Sequence, residues 1–328
     1  MLLIILAALQ MKAEGEKVDL TPHIHGALRA RYERSTVSSE NRFQLRNARL
    51  TIDGQIARPV DYFLQTDLCD RGKMKILDAW GRLHFSRSLA LQAGQFRLPF
   101  GTDCFKAPAN YVFSNLSFVG SEMNNVRGVG AKITVTPLPR LILEAGAFNP
   151  TSIADHSRWC STLAYAGKAQ WTLGYVRIAA GAQTIVPDAI RINSLGASIT
   201  WTRDRWTVEG EYINKHYTRH RHKAANGYNL WADYRFPVKA GIFNQASVQA
   251  RVDGMTDHSS GVRDTDGNLL TDHPGRNRIT AGATISYLSG PVHCDVRLSF
   301  EQYFYRHGHT PASLDDDNKI CAELVVRF

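Results

Sequence analysis

The sequence predicts an all-β fold: a transmembrane antiparallel β-barrel of 16 strands, with a long third loop folded into the lumen. Three observations predict it. Apolar and polar residues alternate in sixteen short segments, the period of a strand with two unlike faces. Tyrosines and tryptophans stand at the ends of segments, as aromatic girdles stand at the two interfaces of a membrane. Connections alternate between short and long, as they do when successive turns lie at opposite ends of a barrel.

The elements follow in order. The first alternates through Ile24, Gly26, Leu28, Ala30 and Tyr32. The second runs Phe43, Leu45, Ala48, Leu50, Ile52, and the skipped beat between 45 and 48 predicts a bulge at Asn47. Segments 62–68, 77–85 and 89–93 come next, with Leu77 on the uncharged face. After a long gap come 129–135, 141–147, 163–171 and 176–182. The second half supplies 195–201, 206–212, 228–236, 246–252, 279–287, 292–300 and 320–328.

On one face of these segments no Asp, Glu, Lys or Arg occurs, in a chain that is 21% charged. The other face carries Arg29, Arg31, Arg49, Arg82, Lys168, Glu209, Glu211, Asp233, Arg251, Arg297 and Glu323. A soluble sandwich would alternate too. Here, however, the uncharged face is built of Ala, Gly, Val and Leu rather than the large residues that interlock in a core. A sheet with that face in hydrocarbon must pair every backbone amide, so it closes on itself. An even strand count puts both termini at the short-turn, periplasmic end. Sixteen tilted strands leave an aqueous lumen.

The chain has 328 residues, 44% of them hydrophobic, and a mean hydropathy of −0.26. No apolar run approaches the ~18 residues of a membrane helix. The net charge of +9 points to an anionic partner. No basic stripe with a docking motif accompanies it, so nucleic acid is not expected. Five isolated cysteines form no CxxC pair and read as small apolar or loop residues. Residues 1–13, MLLIILAALQMKA, read as the apolar region and exit of a secretory signal. They lack a basic leader, which points to a start further upstream. Residues 14–328 then form the barrel as one domain.

The aperiodic stretch 98–127 is too long to lack a function. It carries Asp103, Lys106, Glu122 and Arg127, with Arg97 at its root. Its expected role is to narrow the pore. The early strands make a basic wall of His25, Arg29, Arg31, Arg42, Arg46, Arg49 and Arg82. The later strands mix Arg177, Arg251 and Arg297 with Glu209, Glu211, Asp233, Asp253 and Asp295. Together they predict a transverse field, basic wall against acidic groups. A guanidinium row can pass oxyanions between bidentate sites that each release readily. The expected pathway residues are Arg29, Arg31, Arg46, Arg49, Arg82, Arg97, Lys106 and Arg127.

Several stretches resemble a known family. Gly94-Gln-Phe-Arg-Leu-Pro-Phe-Gly101 resembles the GQFKxPFG segment of the phosphate-selective porin O and P family. Arg46-Asn-Ala-Arg-Leu50 with Gly54 resembles its RRARLxxxG strand, with Asn47 in place of the second Arg. Leu77-Asp-Ala-Trp80 resembles its LRDAY strand, and Phe148-Asn149 its FNG strand end, with Pro150 in place of Gly. The terminal Phe328 resembles the carboxy-terminal signature of outer-membrane barrels. The resemblance implies a sixteen-stranded, trimeric porin of the Gram-negative outer membrane that passes small anions along lumenal arginines. Arg46 and Arg49 fall on the RRARL arginines and Arg97 on the basic position of GQFK.

The reading that follows is a passive diffusion channel for small hydrophilic solutes, with anions such as phosphate or polyphosphate expected. It needs no cofactor and no metal, and it is not an enzyme. Its partners are outer-membrane lipid, lipopolysaccharide and the solute. A general non-selective porin, a barrel hydrolase and a soluble all-β binding protein are the rivals. No GxSxG elbow supports the hydrolase. His216, His220 and His222 read as a basic solvated loop, and Asp264-Thr-Asp-Gly267 as a turn rather than a calcium loop.

Overall fold

The computed structural model describes residues 19–70, 72–107, 110–124, 126–150, 153, 159–188, 190–220, 222–270, 274–306, 311 and 313–328. The signal-like segment 1–13 lies outside the described residues, as does Arg221 in the histidine-rich loop.

Sixteen strands, among the described residues, each overlap one alternating segment. They are β1 (His23–Ser35), β2 (Asn41–Ala57), β3 (Val60–Asp70), β4 (Lys73–Ser86), β5 (Leu89–Arg97), β6 (Arg127–Leu138), β7 (Leu141–Phe148) and β8 (Ala164–Leu173). β9 (Val176–Ile185), β10 (Ile192–Arg203), β11 (Trp206–Tyr217), β12 (Ala225–Ala240), β13 (Phe243–Met255), β14 (Arg276–Ser289), β15 (Val292–Tyr305) and β16 (Lys319–Arg327) complete the set. Each strand pairs with its sequence neighbours, and β1 pairs with β16, which closes the barrel. Closure leaves no sheet edge, as a hydrocarbon setting requires.

The two faces differ as alternation demands. Phe43 is 86% exposed on the outer face, alongside exposed Ile24, Leu28, Leu230, Val248 and Leu298. Inside, Arg29, Arg31, Glu209, Glu211, Arg251, Arg297 and Glu323 are buried. A soluble protein would place these groups the other way round. The outer apolar band is bounded near one end by Trp171, Tyr175, Trp201 and Trp206 and near the other by Tyr165, Tyr212 and Phe304, all exposed. One connection departs from the alternation of lengths: β3 meets β4 across only residues 71 and 72, at the long-loop end.

Two of the register shifts reset the pattern within a strand. On β2 the register steps from Arg29 opposite Asn47 to Ala30 opposite Leu45, so the extra residue is Arg46, one place before the expected site. A second shift pairs Gln65 with Asp78 and Thr66 with Ile76. It leaves Leu77 over and turns it inward, 6% exposed, in correction of its expected outer position. Both bulges let an outward apolar series resume its beat after an extra inward residue.

The seam closes tightly at its last residue. Gly26 and Phe328 exchange backbone hydrogen bonds of 3.0 and 3.1 Å. A β-carbon on Gly26 would lie 2.3 Å from the Phe328 ring. Gly26→Val is expected to cost about 1–3 kcal/mol by displacing that ring. Urea unfolding in detergent measures it; an unchanged midpoint would remove Phe328 packing from the account.

All five cysteines are free thiols. Asp264 Oδ1 accepts from the backbone N–H of Asp266 and Asn268, so this segment is the expected turn.

Candidate functional site

The loop between β5 and β6, here L3, enters the barrel, and the GQFRLPFG motif at its root has a steric reason. Gly94 has φ +133°, and a β-carbon there would lie 2.3 Å from the Ala79 carbonyl oxygen. Gly101 has φ +80°, and its β-carbon would lie 2.0 Å from the Asn124 amide. Only glycine suits such a backbone and such close neighbours.

L3 is seated on the later strands by groups from four of them. Glu211 of β11 accepts from the backbone N–H of Thr102 at 2.7 Å and of Asp103 at 2.8 Å. Lys106 bridges Asp103, at 2.8 Å, and Glu209. Asp253 of β13 accepts from Phe118 N–H at 2.9 Å. Arg251 donates to the Asn115 carbonyl at 2.8 Å, and Arg278 of β14 to that of Leu116 at 2.6 Å. Asn115 in turn donates to Glu301 of β15 at 3.0 Å. Rings of L3 lie under these cations: Arg251 stands 4.5 Å over Phe113, and Arg278 4.5 Å over Phe118. An apolar cluster of Phe100, Phe118, Val119, Met123, Ile192 and Ile213 fills the space behind the loop. L3 is therefore a packed insert, which agrees with the expected lumenal loop.

Three of the five acidic groups expected on the later strands are thereby taken up by L3. Glu209, Glu211 and Asp253 bond L3, whereas Asp233 pairs with Arg235 and Asp295 with Arg297. Sequence reasoning placed these carboxylates on the right face but had no means to see that a loop would cover three of them.

Asp103 lies in L3, outside the spanning strands. Burial alone would raise its pKa, but Lys106 and Ser117 outweigh burial and hold it at about 2. An unfolded Asp titrates near about 3.9. The sign follows: its contribution is complete above the unfolded value and is lost as pH falls through about 2. Wild-type open-channel conductance is expected to hold steady from pH 5 to about pH 3 as far as this anchor governs it. Asp103→Asn is expected to increase open-channel noise at neutral pH. Equal noise in both proteins would show that Asp103 does not hold the loop.

The open space, a cavity of about 800 Å³, lies between L3, the early strands and the adjoining ends of β14, β15 and β16. Among the described residues, eleven lysines and arginines line it against four carboxylates: Glu33, Glu122, Asp315 and Asp316.

The eight expected pathway residues separate into groups. Arg46, Arg49, Arg97 and Arg127 line the cavity. The β2 bulge adds Arg46 to this wall, and Arg49 Nε donates to Asp67 at 3.1 Å. Arg97 and Arg127 are register neighbours across β5 and β6, and Asp78 accepts from Arg127 in a two-pronged pair at 3.1 Å each. Arg29 and Arg31 also border the cavity, but they are 2% and 4% exposed. Each donates to the Ser114 carbonyl of L3 at 2.6 Å, and each bonds Glu323. They clamp the loop more than they face solute. Lys106 stands elsewhere, on Glu209 and 4.6 Å over Trp231. Arg82 is also outside the cavity lining, stacked 4.5 Å over Trp80 and bonded to Gln92.

Four cavity cations escaped the sequence reading: Lys75, Arg276, Arg278 and Lys319. All stand at strand ends, before the apolar beat starts. Extending the beat of 279–287 back by three residues would have placed Arg276 and Arg278 on the inner face.

The family model for phosphate-selective porin O and P matches residues 18–172. No curated protein matches the chain by sequence. Among solved structures, an anion-selective porin from Comamonas acidovorans is similar, with TM-score 0.65 and 12% identity over 94% of this chain and 98% of that one. Salmonella typhi OmpF in complex with daunomycin gives TM-score 0.64 and 10% identity over 94% and 97%. OmpT of Vibrio cholerae, in a trimer form, gives 0.59 and 10% over 94% and 98%. At such identities the likeness shows a shared fold. The family match falls on the strands that carry most of the basic wall. The chain accordingly has the sixteen-stranded barrel fold of outer-membrane porins, and over residues 18–172 it matches the phosphate-selective porin O and P family model.

Proposed function

We propose that this porin passes small anions, phosphate or short polyphosphate among them, through the corridor between L3, the β1–β6 wall and the adjoining ends of β14–β16. The observation that carries the reading is the lining of that corridor, eleven cations to four carboxylates. Coulomb attraction in a narrow, low-dielectric passage concentrates anions and repels cations. Arg42, Arg46 and Arg49 stand along β2, so an oxyanion meets successive donors along its path. Passage requires that each hold it weakly enough to let go.

Arg46, Arg49, Arg97 and Arg127 act as the contact residues. Arg29 and Arg31 add positive potential from behind and hold L3. Lys106 acts on the loop, and Arg82 stands on β4 outside the cavity lining. The porin works as a homotrimer, which the V. cholerae OmpT trimer form supports by analogy. The start of β1 and the end of β16 face the periplasm, since they lie at the end of the barrel that carries the seven short turns.

The test is single-channel chloride current with phosphate added. Concentration-dependent interruption of the current is expected. Current indifferent to phosphate would reduce the protein to a general diffusion porin.

A further inference from the structure

The β2 bulge is held by one carboxylate that the pathway does not otherwise use. Asp67 of β3 is wholly buried, opposite Arg49. Its Oδ1 accepts from Ala48 N–H at 3.0 Å and Cys69 N–H at 3.3 Å. Its Oδ2 accepts from Asn47 Nδ2 at 2.6 Å and Arg49 Nε at 3.1 Å. The Ala48 N–H follows directly on the bulge, where the ladder is interrupted and a backbone donor needs another acceptor. Asn47 then uses its Oδ1 to accept from Arg29 Nη1 at 3.1 Å, and Arg29 reaches the Ser114 carbonyl of L3. A continuous set of hydrogen bonds thus runs from the bulge to the loop.

We propose that Asp67 is the positioning residue of the anion pathway: by pinning the β2 bulge it turns Arg46 and Asn47 into the lumen together and fixes the angle of Arg49. The inference rests on the anion reading above. It also gives Asn47 a task. An amide there can donate to Asp67 and accept from Arg29 at once, whereas a guanidinium has no acceptor.

Charge and position predict opposite signs for the same variant. As a charge, Asp67 opposes the basic wall, and its removal would raise anion preference. As a positioning group, its removal lets the bulge and Arg49 relax, and anion preference falls. Asp67→Asn and Asn47→Ala test this in planar bilayers under a potassium chloride gradient, with the heat-modifiable gel shift checking that each barrel is folded. Asn47→Ala changes no charge, so any loss of selectivity in it is geometric. It also serves if D67N does not assemble. In each folded variant the anion-over-cation permeability ratio is expected to fall about two- to fivefold. Phosphate interruption of the chloride current is expected to weaken in step. A purely structural Asp67 would lower the unfolding midpoint and leave both readouts in place. If the wild type itself shows no anion preference, the anion reading falls and this inference with it. If the wild type is anion-selective and the folded variants match or exceed it, only this inference falls.

Discussion

Glu323→Ala should destabilise the barrel by about 3–5 kcal/mol, the cost of leaving buried charge without its partner. Glu323 of β16 meets Arg29 at 2.6 Å and Arg31 at 3.1 Å through one oxygen, and Arg297 at 3.4 Å through the other. Its side chain is wholly buried. Among the described residues, Arg29 makes an ion pair with no second carboxylate. Arg31 keeps Glu33 at 3.0 Å and Arg297 keeps Asp295 at 3.0 Å. Arg29 would be left with Asn47 and the Ser114 carbonyl. Because β1 and β16 form the closing seam, the loss falls on closure as well as on L3. Urea unfolding should show it, and Glu323→Gln, which keeps an acceptor, should lose less. An alanine variant as stable as wild type would mean that lumenal water solvates these arginines fully.

Joint replacement of Arg46, Arg49 and Lys75 by glutamine should remove most of the anion preference. Each neutralised, partly exposed charge is worth about 0.2–1 kcal/mol. Three together then give about tenfold in the permeability ratio. Arg82→Gln is the internal control. It removes one charge, as each single replacement does, from the same half of the barrel, but from a side chain stacked on Trp80 outside the cavity lining. Its ratio should stay near wild type. Equal effects from Arg82→Gln and from the single replacements of Arg46, Arg49 and Lys75 would show that the cavity is not the path.

Much of this architecture can be read in the residues because a barrel wall is a local pattern. Alternation through Ile24, Gly26, Leu28 and Ala30 needs no knowledge of any other strand, and every segment so marked is a strand. The bulge could be read from the skipped beat before Ala48, to within one residue. The lumenal loop could be read from its length. What the lumen does with its charges could not. Arg29 and Glu323 are 294 positions apart and meet only because the sheet closes. Lys106 and Arg46 are both cations beside a strand. One is taken up by Glu209 beneath L3, and the other faces the cavity. That difference depends on how a loop docks. Docking is decided by partners scattered over β1, β11, β13 and β14, and no local periodicity reports it.

The reversal potential of the wild-type channel under a potassium chloride gradient tests the central claim most directly. A corridor lined mainly by guanidinium and ammonium groups predicts the sign of a chloride-selective pore. A potential at zero, or of the cation-selective sign, would contradict it.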